Sequence, residues 1–200
     1  MSSVRVILIS CLIFWIMPVN AQAMPDQLVR DTTEKILVLL KKNHAIYKRD
    51  NSKLYQMVYE KILPHFDFSA MSRLVLSRNW RSANADQRIR FTKAFEGLLV
   101  RTYATALLKY TNQEIIYLPF HAKPTDKKAI VKTEIKSAKG GPNIPLNYSF
   151  YNKNGSWKVY DVAIEGISLV TNYRSVYADK VRKQGLDALI NSIDKNPGTK

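Results

Sequence analysis

Val159-Tyr160-Asp161-Val162-Ala163-Ile164-Glu165-Gly166-Ile167-Ser168-Leu169-Val170-Thr171-Asn172-Tyr173-Arg174-Ser175 is the stretch that decides the fold. β-Branched and aromatic residues ahead of Gly166 predict a strand, and Ser168 just beyond it predicts a helix N-cap. Leu169, Tyr173 and Val176 then recur at helical spacing. The segment passes from strand to helix through one glycine and makes a densely apolar corner at a sheet-to-helix junction. Nothing in it looks catalytic. Its residues suit the wall of a cavity for an apolar ligand.

Working outward from this corner, the preceding residues alternate with period two. Residues 114–120 predict one strand. A second covers 129–135, with Val131, Thr133 and Ile135 facing in and Lys132, Glu134 and Lys136 facing out. Ile144, Leu146, Tyr148 and Phe150 mark a third, and 156–164 a fourth. The turns Lys139-Gly140-Gly141-Pro142-Asn143 and Asn152-Lys153-Asn154-Gly155 are short, which favours antiparallel pairing.

Further out the pattern is helical. Residues 25–47 carry Leu28, Ile36, Leu39, Leu40, Asn43 and Tyr47 on one side, with Pro25 in a permitted first-turn position. A second helix is predicted over 52–63, stopped by Pro64, and a short third helix over 66–80 presents Phe68, Met71, Leu74 and Val75. Asn84, with Gln87 three residues on, forms a capping box that opens what the pattern predicts as the longest helix, reaching Tyr110. Two more helices follow at 168–183 and 186–193, and residues 194–200 are expected to fray. Helices, then strands, then helices predict an α+β fold. We expect helices packed on the concave face of a curved, mainly antiparallel sheet of four to five strands, enclosing an apolar cavity.

The N-terminus reads as an export signal. Met1-Ser2-Ser3-Val4-Arg5 precedes an apolar run over residues 6–17, then Pro18 and the cleavage pattern Ala21-Gln22-Ala23. The expected organisation is a signal peptide over 1–23 and a single exported domain over 24–200. Cys11 is the chain's one cysteine and lies within the signal, so the mature domain holds no disulfide. Of the 31 basic residues only Arg5 is removed with it; 30 basic against 16 acidic residues leave the domain at +14. No groove-reading or base-stacking motif accompanies that charge, so nucleic acid is not an expected partner. The charge fits either a solvated surface or attraction to anionic lipid surfaces and acidic proteins.

Catalytic and metal-binding patterns are missing from the sequence. His44, His65 and His121 stand apart in no ligand spacing, and there is neither a G-x-S-x-G elbow nor a phosphate-binding glycine loop. Asp161, on a strand beside tyrosines, is a candidate general base, but a buried acid is more commonly paired. Asp161 or Glu165 is therefore expected to pair with Arg101 or Arg174, and Asp161 with Arg174 is the structural ion pair we expect at the corner. No cofactor or metal is expected. Tyr103, Tyr148 and Tyr173 combine an apolar body with a polar tip and suit a pocket mouth, where the apolar part of a ligand gives way to its polar part.

Three words in order carry a family resemblance: Phe66-Asp67-Phe68-Ser69-Ala70-Met71-Ser72-Arg73-Leu74-Val75-Leu76-Ser77-Arg78-Asn79-Trp80-Arg81, Leu99-Val100-Arg101-Thr102-Tyr103-Ala104-Thr105-Ala106-Leu107, and residues 159–175. Together they resemble the MlaC family, the toluene-tolerance (Ttg2D-like) phospholipid-binding proteins, over essentially the whole mature chain. The resemblance implies a monomeric periplasmic carrier of glycerophospholipid and not an enzyme. Its implied partners are an outer-membrane complex of the MlaA–porin type and an inner-membrane ABC complex of the MlaFEDB type. The implied role is maintenance of outer-membrane lipid asymmetry. Expected tail contacts are Leu74, Val75, Leu98, Leu99 and Tyr103 on helices, Ile144, Leu146, Tyr148 and Phe150 on a strand, and Val162, Ile164, Ile167, Leu169 and Val170 at the corner. A periplasmic enzyme on an NTF2-like α+β fold and a basic envelope adaptor without lipid are the alternatives.

Overall fold

The computed structural model describes residues 23–109, 113–137 and 140–195. The expected signal segment up to residue 22 and the tail beyond 195 lie outside these residues. Helix α1 (Pro25–Arg49) runs for 25 residues, so it, and not the helix after Asn84, is the longest among the described residues. It kinks at Asn43, where φ −110° and ψ 15° leave the helical region and the side-chain amide donates to the Leu39 carbonyl at 3.1 Å. Helix α2 (Asn51–Lys61) starts at the polar break, where Asp50 accepts from the Ser52 N–H at 2.9 Å. The turn Leu63–His65 that follows is 3-10, which accommodates Pro64.

The single short helix expected over 66–80 is two. Asp67 caps α3 (Phe68–Leu76), Ser77 takes φ +51°, and α4 (Arg78–Ser82) resumes beyond it. A left-handed residue cannot continue the i→i−4 ladder, and that stops α3. The Asn84/Gln87 capping box opens α5 (Ala85–Tyr103) as expected, with reciprocal bonds of 2.8 and 3.1 Å. The helix does not reach Tyr110 as α-helix: it tightens to 3-10 over Ala104–Lys109.

Strands β1 (Ile115–Tyr117), β2 (Lys128–Ile135), β3 (Ile144–Lys153), β4 (Ser156–Ile164) and β5 (Ile167–Ser168) form one antiparallel sheet in chain order. β1 is shorter than its apolar pattern because Pro119 has no N–H to give the ladder. The corner itself contains a hairpin. Ile164 pairs with Ile167 across Glu165 and Gly166, whose φ values of +51° and +81° are those of a two-residue type I′ turn. Asn154-Gly155 turns β3 into β4 the same way, at φ +52° and +86°.

Helices α6 (Leu169–Gln184) and α7 (Leu186–Lys195) complete the fold. Ser168 caps α6 as expected, accepting from the Thr171 N–H at 3.0 Å. Val176 does not face in: it is 56% exposed, and Tyr177 takes the buried position one residue on. Two packing regions result. Between α3, α5, α6 and α7 lies a core of Met71, Phe91, Phe95, Tyr177, Leu189 and Ile190. Between the sheet, α1 and the 3-10 end of α5 the apolar side chains are packed less completely.

Candidate functional site

The second region holds two adjoining apolar clefts. α1 crosses one face of the sheet and meets β2, with Val29 packed among Val131, Phe150 and Val159. A helix that is round in section leaves space along a strand face it crosses, and only long side chains close it. Here several residues lining the gap are small, Ala104 and Ala106 from the 3-10 segment and Thr32 and Thr33 from α1, and the larger side chains around them leave it open. The smaller cleft encloses about 170 Å³ and lies under α1, against Leu28, Val29, Ile36, Leu37 and Leu40. The larger, about 370 Å³, lies between the end of α5, α3 and strands β3 and β4. Ile62, Phe66, Leu107, Ile135, Leu146 and Tyr148 line both, so the two share one wall.

Many of the expected tail contacts meet here. Leu99, Tyr103, Ile144, Leu146, Tyr148, Val162, Ile164 and Leu169 line the larger cleft. Leu146, Tyr148 and Phe150 line the smaller one. The others lie elsewhere. Val75, Leu98 and Val170 are buried in the helical core and Leu74 packs against it. Ile167, next to the type I′ turn, is 62% exposed. Period and polarity cannot separate a core position from a cleft position, because both are apolar and inward. Ile167 departs for a different reason: it belongs to a two-residue strand at the sheet edge with nothing packed over it.

The wall supplied by α1 was not among the expected contacts: Leu28, Ile36 and Leu40 mark an inward face of the helix, and the pattern does not say that this face covers a cleft. Ala104 and Ala106 of the 3-10 segment also line the larger cleft. Of the three tyrosines placed at a mouth, Tyr148 stands instead at the shared wall, hydrogen-bonded with Thr133, where burial pushes its phenol well up. Tyr173 is not at a cleft. It packs edge-on to Phe95, its ring centroid 5.2 Å away, and burial together with Tyr103 pushes it up to about 12.

The expected ion pair is replaced by a helix cap. Asp161 accepts from the Ser168 hydroxyl at 2.6 Å and from the Val170 N–H at 3.0 Å, both at the start of α6. Arg174 donates to the Leu74 carbonyl at 2.8 Å, tying α6 to α3, and Arg101 to the Ile193 carbonyl at 3.3 Å. The first turn of a helix leaves N–H groups without intrahelical partners and carries positive partial charge, so a nearby carboxylate is satisfied there without ordering a long arginine. Asp161 does hold the corner, with a different partner.

Sequence reasoning also overlooked Asp67. It caps α3 through the Ala70 N–H at 2.9 Å, accepts from Lys153 Nζ at 2.7 Å and from the Tyr151 hydroxyl, and so ties α3 to the β3–β4 hairpin. Burial pushes its carboxyl up, but the bonds from Lys153, Tyr151 and Ala70 outweigh that and hold it at about 2. Facing the smaller cleft, His65 is lowered by burial and by the charges of Lys158 and Lys35. Arg30 lies 4.0 Å over the Tyr117 ring. Among the described residues no three His, Cys, Asp or Glu side chains are grouped to hold a metal, and no helix is long and apolar enough to cross a membrane.

Fold and site together define a class: a small α+β domain whose helices and antiparallel sheet hold an apolar cleft between them. Residues 30–195 match the family described as MlaC protein, and the chain belongs to that family. It is 29% identical over 179 residues to the intermembrane phospholipid transport system binding protein MlaC of Haemophilus influenzae, covering 88% of this chain and 83% of that one. It is 31% identical over 185 residues to the toluene tolerance protein ttg2D of Pseudomonas putida, covering 92% and 84%. Its fold matches the phospholipid-binding protein of Ralstonia solanacearum, solved in complex with a phospholipid. That match has a TM-score of 0.80 and 29% identity, and covers 88% of this chain and 97% of that one.

Proposed function

We propose that this chain is a periplasmic phospholipid carrier, exported by cleavage after Ala23. In this reading it holds acyl chains in the paired clefts and shuttles lipid between an outer-membrane lipoprotein–porin complex and an inner-membrane ABC transport system, maintaining outer-membrane lipid asymmetry. The observation that carries this reading is the pair of adjoining clefts with an almost wholly apolar lining. Their volumes, 170 and 370 Å³, together fall in the range of about 300–1,000 Å³ usual for ligand sites.

The physics of the task matches a site without chemistry. Two acyl chains of about 15 methylenes, at about 0.8 kcal/mol each, are worth roughly 24 kcal/mol against water. A lipid therefore does not cross an aqueous compartment unaided. A bilayer offers the same apolar shelter, so a carrier has only to approach the membrane's affinity, and directionality comes from its partners. The test is Leu146→Glu, which puts a carboxylate on the wall common to both clefts. Phospholipid extracted with the purified, folded variant should fall to background, because an unpaired charge in an apolar site is costly. Wild-type lipid content in that variant would refute the assignment of the clefts.

A further inference from the structure

A phospholipid has an anionic part as well as its chains, and the smaller cleft has a cationic rim. His65 lines that cleft, half-buried, at the end of the 3-10 turn Leu63–His65. Two bonds pin this turn to β4: the Asp67 N–H donates to the Val159 carbonyl at 2.9 Å, and Lys158 Nζ donates to the Pro64 carbonyl at 2.6 Å. Lys158 is thus fixed beside the imidazole. Across the cleft Thr32 and Thr33 form part of the α1 wall, and Lys35 follows Thr32 by three residues, which places it on the same side of the helix.

Among the described residues neither lysine has a carboxylate within ion-pair distance. Most carboxylates on the neighbouring elements are engaged elsewhere: Gln27 donates to Asp31 at 2.6 Å, Asp67 accepts from Lys153, Tyr151 and the Ala70 N–H, and Glu60 lies 3.9 Å from Lys61. Glu34, beside Lys35 in the chain, is exposed to solvent. We infer that His65, Lys35 and Lys158 form a site for a phosphate anion at the rim of the smaller cleft, where they take the phosphodiester of a lipid whose chains fill the clefts. The inference rests on the carrier reading. Two ammonium groups and one imidazole supply charge-assisted donors to phosphate oxygens. Burial lowers His65 first, and the charges of Lys158 and Lys35 lower it further; an anion held between them offsets those charges and favours the imidazolium, so the pKa of His65 rises when phosphate arrives.

The experiment loads the purified protein from vesicles containing phosphatidylglycerol or diacylglycerol with the same chains, and follows the His65 ring by NMR against pH. His65 should titrate at higher pH with phosphatidylglycerol bound than with diacylglycerol. Phosphatidylglycerol should be retained about tenfold better, the worth of one charge-assisted bond. In Lys35→Gln and in Lys35→Gln/Lys158→Gln that preference should fall towards parity. Lys35 is exposed on α1, so its single variant keeps the test open if loss of the Pro64 contact unfolds the double one. Loaded phosphatidylglycerol with an unmoved His65, or an unchanged preference in Lys35→Gln, overturns the rim site alone. Failure of both lipids to load overturns the carrier reading and the rim site with it. A raised His65 pKa in millimolar inorganic phosphate without lipid overturns the lipid as source and leaves a free phosphate site.

Discussion

The helical core and the cleft region are built from the same kinds of side chain and end in opposite states. In the core, Phe91, Phe95, Tyr173 and Tyr177 interlock edge to face at centroid distances of 5.2 to 6.4 Å, and Phe91 and Phe95 are fully buried. Rings from α5 pack edge-on against rings from α6. In the cleft region a strand face of Ile144, Leu146 and Tyr148 looks toward aliphatic residues of α1 and α5 interspersed with the small Thr32, Thr33, Ala104 and Ala106, and space remains between them. Hydrophobicity is common to both regions. What differs is whether the facing element brings bulk or leaves room.

The largest expected effect separates the two directly. Phe95→Ala removes a fully buried ring from the interlocked core and should destabilise the protein by about 3–5 kcal/mol in urea unfolding. A loss below about 1 kcal/mol would mean the core is looser than its geometry indicates. Ala106→Phe does the reverse, adding a ring where the larger cleft has space. Bound phospholipid should drop several-fold in extracts while stability changes by less than about 1.5 kcal/mol. A large destabilisation instead would show that the cleft is closed.

The joint between the regions is Asp67, and its contribution depends on pH. Its folded pKa of about 2 lies below the ordinary 3.8, so its stabilisation is complete above that ordinary value and is lost as pH falls through the folded one. Asp67→Asn should therefore cost about 2 kcal/mol at neutral pH. The gap between variant and wild type should narrow between pH 4 and pH 2 in thermal unfolding. A gap independent of pH would remove the carboxylate from the joint. The smallest effect belongs to Ile167→Glu, which the sequence alone would place among the most damaging to lipid retention. At 62% exposure the substitution should leave extracted lipid at the wild-type level, and its loss would return Ile167 to the cleft.

Those contrasts also mark how far the sequence could be read. Local chemistry was legible: the capping box at Asn84, the N-cap at Ser168 and the period-two face of β2 each depend on neighbours within a few residues. The α+β class follows from the order of such segments. Breaks inside helices were not legible, since Ser77 adopts its positive φ within an otherwise helical word. Nor were polar partners. Asp161 was read with an arginine because charge is visible in sequence, whereas the unsatisfied N–H of Val170 is created only once α6 begins beside β4. The cleft was half legible: Leu146, Tyr148 and Ile164 alternate as a sheet face should. That α1 supplies the opposite wall depends on how the helix crosses β2, which no local pattern encodes.

The most direct test of the central claim is native mass spectrometry of the purified, folded protein. The account predicts a species carrying phospholipid in stoichiometric amount, identifiable by the mass released on activation and lost in Leu146→Glu. Folded wild-type protein that carries no phospholipid, and takes up none from vesicles, would contradict it.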